Sequence, residues 1–242
     1  MTRIDHACQL IEFGEIRVLT DPWFTQTATY YPGQRTHLTV EELGSVDAVV
    51  VSHEHYDLDA LVAAGFDLDT PLIGPGTVAP IARSKGFRDV RAIEAWEATT
   101  VRDLTVTAAP GRHGVHEVTF VIQTGGRTVF FGGDSLRVPE LDTIPERFGH
   151  IDLALLPTNG LCVRPMNLQQ AVMDAEQAAG LTAVLKPTLA VPQHYAFHSG
   201  RLGDQIITKT DRDPLHYADA VARIAPEIDV RIVLPGIEVT VP

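Results

Sequence analysis

The chain has 242 residues, 45% of them hydrophobic, which is enough to bury one large core in a single domain, 1–242. A formal net charge of −12 repels phosphate backbones and argues against nucleic acid as a partner. Two cysteines in dissimilar contexts, Cys8 and Cys162, support neither a disulfide framework nor a cysteine zinc knuckle. The first residues, "MTRIDHACQLIEFGE", hold no long apolar stretch, and no run approaches the roughly 18 apolar residues of a membrane span. The expectation is a soluble chain in a reducing, cytoplasmic setting, with no membrane partner.

In chain order, "HACQLIEF", a "GE" turn and "IRVLTDP" predict a hairpin that ends on Asp21 and Pro22. Residues 22–38, rich in Thr, Tyr, Pro and Gly, predict a long loop. Its Trp23, Phe24, Tyr30 and Tyr31 either line a site or pack on the body of the protein. "DAVVVS" (47–52) is too short for a helix and predicts a buried strand that delivers His53. "TVAPIARSKG" predicts a helix with Thr77 as N-cap and Gly86 past its end. "LTVTAAP" predicts a strand leading to His113, and "VTFVIQTGGRTVFFGGD" two strands ending on Asp134. "IDLALLP" predicts another buried strand. "NLQQAVMDAEQAAG" predicts a helix capped by Asn167, with Gln170 three residues in and Gly180 at its end. "AVLKPTLAVPQHY" predicts a strand ending at His194. "DPLHYADAVARIAP" predicts a helix with Asp213 as cap and Pro214 at its first position. "VRIVLP" and "IEVTV" predict a closing hairpin. Strands in both halves, with helices between some of them, predict two mixed sheets packed together with helices outside.

The polar residues fall in a regular way. His53, His113, Asp134 and His194 follow apolar strands and can meet at one edge of such a sandwich. In an extended chain, positions i, i+2 and i+4 point to one side, so His53, His55 and Asp57 can face one point. Imidazole and carboxylate suit zinc, manganese or iron, with bonds of about 2.0–2.2 Å. The plainer alternative is two surface histidines at a strand end. Asp134, after "FFGG", needs a partner or a cation to be stable beside so much apolar surface.

The ordered set "VLTDPWF", "SHEHYD", "APGRHG", "FFGGDS", "GHIDLALLP", "MNLQQAV" and "VPQHY" covers nearly the whole chain. It resembles metallo-β-lactamase-fold hydrolases, and is most similar to the branch of ascorbate-6-phosphate lactonase and N-acyl-phosphatidylethanolamine phospholipase D-like enzymes. The resemblance implies an α/β fold, an αββα four-layer sandwich. It implies that His53, His55 and His113 hold a first metal ion, that Asp134 bridges to a second, and that Asp57 and His194 belong to the second site. Asp57 would also hold the attacking water and take its proton, and Asp21 would orient a ligand from behind. The family pattern is His-x-His-x-Asp-His. Here Leu58 follows Asp57, so the second-site histidine is missing. The expectation is one tightly held ion, zinc before manganese or iron, with a second site short of a ligand. Asp59 or His198 would substitute as ligands, or are plain surface residues. Asn159, Tyr195 and His198 are candidates for binding a small-molecule substrate, and Arg112 meets an anion or faces solvent. His6, His37, His116, His150 and His216 have no motif support and receive no role. The implied reaction is hydrolysis of a small ester, lactone, amide or phosphodiester. The alternatives are a degenerate relative acting in binding or assembly, and a mononuclear iron oxidoreductase.

Overall fold

A computed structural model describes residues 1–24, 38–56, 58–196 and 200–242. Strands β1 (Thr2–Asp5), β2 (Cys8–Phe13), β3 (Ile16–Thr20), β4 (Ala48–Val50), β5 (Leu72–Gly74) and β6 (Val90–Ala92) form one sheet in sequence order. The β1–β2–β3 part is antiparallel, and β3 to β6 run parallel. Three short helices belong to this half: α1 (Val40–Leu43), α2 (Leu58–Ala63) and α3 (Val78–Ser84).

The second sheet begins with the meander β7 (Ala98–Val101), β8 (Leu104–Pro110), β9 (Val118–Thr124) and β10 (Arg127–Phe131). Parallel strand β11 (Leu153–Pro157) follows the short helix α4 (Ile144–Phe148). Strands β12 (Leu161–Val163) and β13 (Gln169–Gln170) then leave for a small third sheet. After helix α5 (Ala175–Leu185), β14 (Leu189–Gln193) returns beside β11. Helix α6 (Gly200–Ile206) leads to β15 (Ile207–Lys209), which pairs with β12. Helix α7 (Pro214–Ile224) and β16 (Asp229–Val230) finish the second sheet, whose order is β16-β14-β11-β10-β9-β8-β7.

Alternation along the strands explains the layering, because successive side chains point to opposite faces. Phe120, Phe131 and Leu155 join Val18, Val50 and Leu72 of the first sheet in the core between the sheets. Their neighbours Val121, Phe130 and Leu156 point the other way and pack with Ala178 and Leu181 of α5 and Tyr217 and Val221 of α7. The result is the four-layer arrangement of two mixed sheets with helices outside. No helix among the described residues is long and apolar enough to cross a membrane.

Several sequence expectations need correction. The helix expected from Asn167 starts at Ala175: Asp174 accepts from Gln177 N at 2.9 Å in a capping box, while Asn167 sits in a left-handed conformation and Gln170 in β13. Gly180 does not end this helix. It lies mid-helix, where a Cβ would come within 2.7 Å of Arg137 Nη1, so its lack of a side chain makes room for that guanidinium. Thr77 is the N-cap residue of α3, as expected, but its side chain makes no capping bond. The closing hairpin does not form; Asp229–Val230 pairs in parallel with β14 instead. The loop aromatics Tyr30 and Tyr31 lie outside the described residues.

Candidate metal centre

Strand direction brings the polar residues together. β1 runs with β3 and β4 because β2 reverses between them, and β8 runs with β10 because β9 reverses between those. The carboxyl ends of β1, β3, β4, β8, β10 and β14 therefore carry His6, Asp21, His53, His113, Asp134 and His194. Carboxyl ends of strands are where open α/β sheets place ligands.

His53, His55 and His113 form the first cluster, with candidate ligand atoms within 4.8 Å of one another. Residues 52–56 are a turn rather than the extended chain expected, yet the His53 and His55 rings lie 4.8 Å apart. Two of these imidazoles are oriented from behind. The Ser52 hydroxyl donates to Asp21 Oδ2 at 2.7 Å and lies 2.9 Å from His53 Nδ1. With its proton given to Asp21, the hydroxyl can only accept from His53, which puts the ring proton on Nδ1 and the lone pair on Nε2. His53 Nε2 is buried and has no hydrogen-bond partner among the described residues. Burial brings this imidazole down to about 4, against the opposing charge of Asp134, so it is neutral near pH 7. His113 Nδ1 lies 2.8 Å from the Ala171 carbonyl, which can only accept, so its Nε2 is likewise left as the lone-pair nitrogen. Metal-bound histidines usually have their second nitrogen engaged in this way. An orphaned, buried lone pair beside two further imidazoles fits a divalent cation of the zinc type.

Asp134 lies beside this cluster. Its Oδ2 is 3.6 Å from His53 Nε2 and 2.9 Å from His194 Nε2, and Tyr56 donates to its Oδ1 at 2.7 Å. Burial pushes the Asp134 carboxyl up, but His194, His53 and His6 outweigh it and hold the group ionised, well below the usual range. His6, Asp134 and His194 form a second cluster of candidate ligand atoms, again within 4.8 Å of one another. His6 is the residue sequence reasoning missed. "HACQLIEF" reads as one strand, but His6 and Ala7 are a two-residue turn between β1 and β2. No sequence signal marked it: the four-residue strand "TRID" carries an arginine that reads as solvent-facing, although Arg3 is fully buried.

Glu117 supports both clusters. It is buried, accepts from Asp134 N at 2.7 Å, and has Oε1 3.6 Å from His53 Nδ1. Burial lifts its carboxyl to about 8. Gly133 permits this approach: a Cβ there would lie 2.5 Å from Glu117 Oε1 and 2.9 Å from Ser52 Cβ, and its φ of +52° favours glycine.

A cavity of about 490 Å³ opens over both clusters, with Trp23, Val115, Leu161, Val163, Met166 and Ile207 among its walls. Trp23 thus takes the lining role, while Phe24 packs on the core. Asn159 and Tyr195 do not line it. Asn159 is buried and its Oδ1 accepts from Leu161 N at 3.1 Å. Tyr195 is buried beneath Arg3, whose guanidinium lies 4.4 Å above its ring. Both side chains are engaged inside the protein rather than at this cavity. Arg112 is exposed and lines a neighbouring groove with His113 and Arg137. Asp59 is bound by Lys85, away from both clusters, and His116 is exposed against Glu94 at 2.8 Å. Leu58 is buried in the core of the first sheet. Asp57 and His198 lie outside the described residues.

Known proteins share this fold. The family model described as a beta-lactamase superfamily domain matches residues 16–195. A UPF0173 protein of Pyrococcus furiosus is 29% identical over 199 residues, covering 80% of this chain and 82% of that protein. A UPF0173 metal-dependent hydrolase of Anaeromyxobacter sp. (strain K) is 28% identical over 219 residues, covering 81% of this chain and 74% of that one. The solved structure of Igni18, a metallo hydrolase from Ignicoccus hospitalis, has a TM-score of 0.73 at 22% identity and covers 97% of this chain and 94% of its own. The fold is the metallo-β-lactamase fold, and the chain belongs to the beta-lactamase superfamily.

Proposed function

We propose that this chain is a metal-dependent hydrolase that directs water onto a carbonyl or related electrophilic centre of a small, uncharged molecule. The observation that carries the reading is the His53 Nε2 lone pair, buried, unpartnered and aimed at the same point as His55 and His113. A divalent cation held there supplies Lewis acidity and lowers the pKa of water from about 15.7 to about 7.

The chain's own residues do the rest. Asp21 and Ser52 fix the tautomer and direction of His53, and the Ala171 carbonyl does the same for His113. Asp134 is kept ionised between the two clusters and is steadied by Tyr56. The family resemblance gives Asp57 the role of holding the attacking water and accepting its proton. The cavity walls are mainly apolar, and neither lysine nor arginine is among the described lining residues. That composition favours an ester, lactone or amide over a phosphodiester, whose anionic oxygens would want a cationic wall.

The test is turnover by zinc- or manganese-loaded protein on matched panels of activated esters, lactones, amides and phosphodiesters. The expected result is hydrolysis within the first three groups that disappears on chelation and in His113→Ala. Metal-loaded protein that hydrolyses none of the panels counts against the reading.

A further inference from the structure

We propose that His6 supplies the nitrogen missing after Asp57, so that His6, Asp134 and His194 form a second cation site beside the first. The proposal rests on reading the first cluster as a metal centre. It starts from where Leu58 goes. That side chain, 4% exposed, packs in the core at the start of α2, so the position after Asp57 contributes nothing to the site. A site drawn only from Asp134, His194 and Asp57 would be poor in nitrogen, and imidazole is what zinc-type cations take readily.

His6 reaches the same place from another direction. It follows the carboxyl end of β1, on the edge that carries His53 and Asp134. Its ring meets His194 edge-on, with centroids 4.0 Å apart, and it lines the same cavity. Its ligand atom lies within 4.8 Å of those of Asp134 and His194. The two imidazoles and one carboxylate oxygen make an N2O set that suits zinc, manganese or iron.

The backbone is in keeping with this role. His6 has φ +49° at the first position of a two-residue hairpin turn, where glycine or asparagine is the ordinary choice. His194 is also left-handed, at φ +61°. Strained residues that persist cluster at functional sites. The other use for a ring at residue 6 is packing against Trp23, whose centroid is 4.8 Å away. Packing alone calls for a flat ring, not for a ring nitrogen within 4.8 Å of ligand atoms on Asp134 and His194.

The test separates these uses. Full-length wild type, His6→Gly and His6→Asn are saturated with zinc, freed of excess by gel filtration and measured for metal content. Both replacements suit the turn, so folding is preserved, and melting of the metal-free proteins checks it. The expected result is two equivalents in wild type and one in each variant, with metal-free His6→Gly melting at or above wild type. Equal metal content in wild type and both variants, whether one equivalent or two, overturns the role of His6 and leaves the first cluster standing. Wild type that retains no metal overturns both readings.

Discussion

The two clusters are built in different ways. The first takes two of its three imidazoles from the single turn after β4, and hydrogen bonds to Ser52 and the Ala171 carbonyl set His53 and His113. The second draws on positions 6, 134 and 194, and two of its members are held by left-handed backbone. The first is a motif, and the second is a product of topology. Ligands close in sequence announce themselves by spacing, whereas ligands brought together by strand order do not.

The comparison can be broken most directly at its first member. His113→Ala should lower hydrolysis by about 10³-fold or more, because several kcal/mol of charge stabilisation depend on that set. His6→Gly should cost less if the first cluster carries water activation. Equal losses in kcat/KM would erase the distinction between the clusters. Chelation tests both together. An ion present at a hundred times its Kd adds about 2.7 kcal/mol, so its removal should lower Tm by roughly 5–11 °C for a chain of this size. Added zinc or manganese should restore the loss. An unchanged melting curve, with removal confirmed by elemental analysis, would deny the metal a place in the folded state.

Ser52→Ala sharpens the contrast, since it cuts the link from Asp21 to the first cluster alone. Zinc affinity at that cluster should fall about 10- to 100-fold in competition with a chromophoric chelator. The second cluster should hold its ion as before. Gly133→Ala should destabilise the protein by about 1–3 kcal/mol in denaturant titrations, from a left-handed φ and a clash with Glu117. The smallest effect belongs to His116→Ala, whose ring pairs with exposed Glu94. Stability should stay within about 0.5 kcal/mol, with metal content unchanged. If it loses metal as His113→Ala does, the wrong histidine of "GRHGVH" has been assigned.

The same division between local and distant information governs what could be read in the sequence. Helix α7 was legible because Asp213 and Pro214 announce its start. Helix α5 was misplaced because two cap patterns overlap. Asn167 precedes Gln170 as Asp174 precedes Gln177, and only the pairing of Gln170 in β13 selects the second. The closing "VRIVLP" has strand-like composition, but its pairing is decided by β14, which is distant in sequence. The first cluster was legible from His-x-His and the strand ends. His6 was not, because the turn that exposes it depends on β1, and β1 carries an arginine that looks solvent-facing. Arg3 is instead fully buried, donating to Tyr195 and to the Val233 carbonyl. Asn159 and Tyr195 sit inside for a related reason: a polar residue after a strand can face inward to satisfy the backbone as readily as outward to a substrate.

Each cluster also straddles the sandwich. His6, His53 and His55 come from the first sheet, and His113, Asp134 and His194 from the second. Parting the two sheets and releasing a bound ion are therefore one event. Such a rivet acts chiefly on the rate of unfolding if it forms after the folding barrier has been crossed. The loaded protein would then outlast the empty one under protease or heat by more than their equilibrium difference alone conveys.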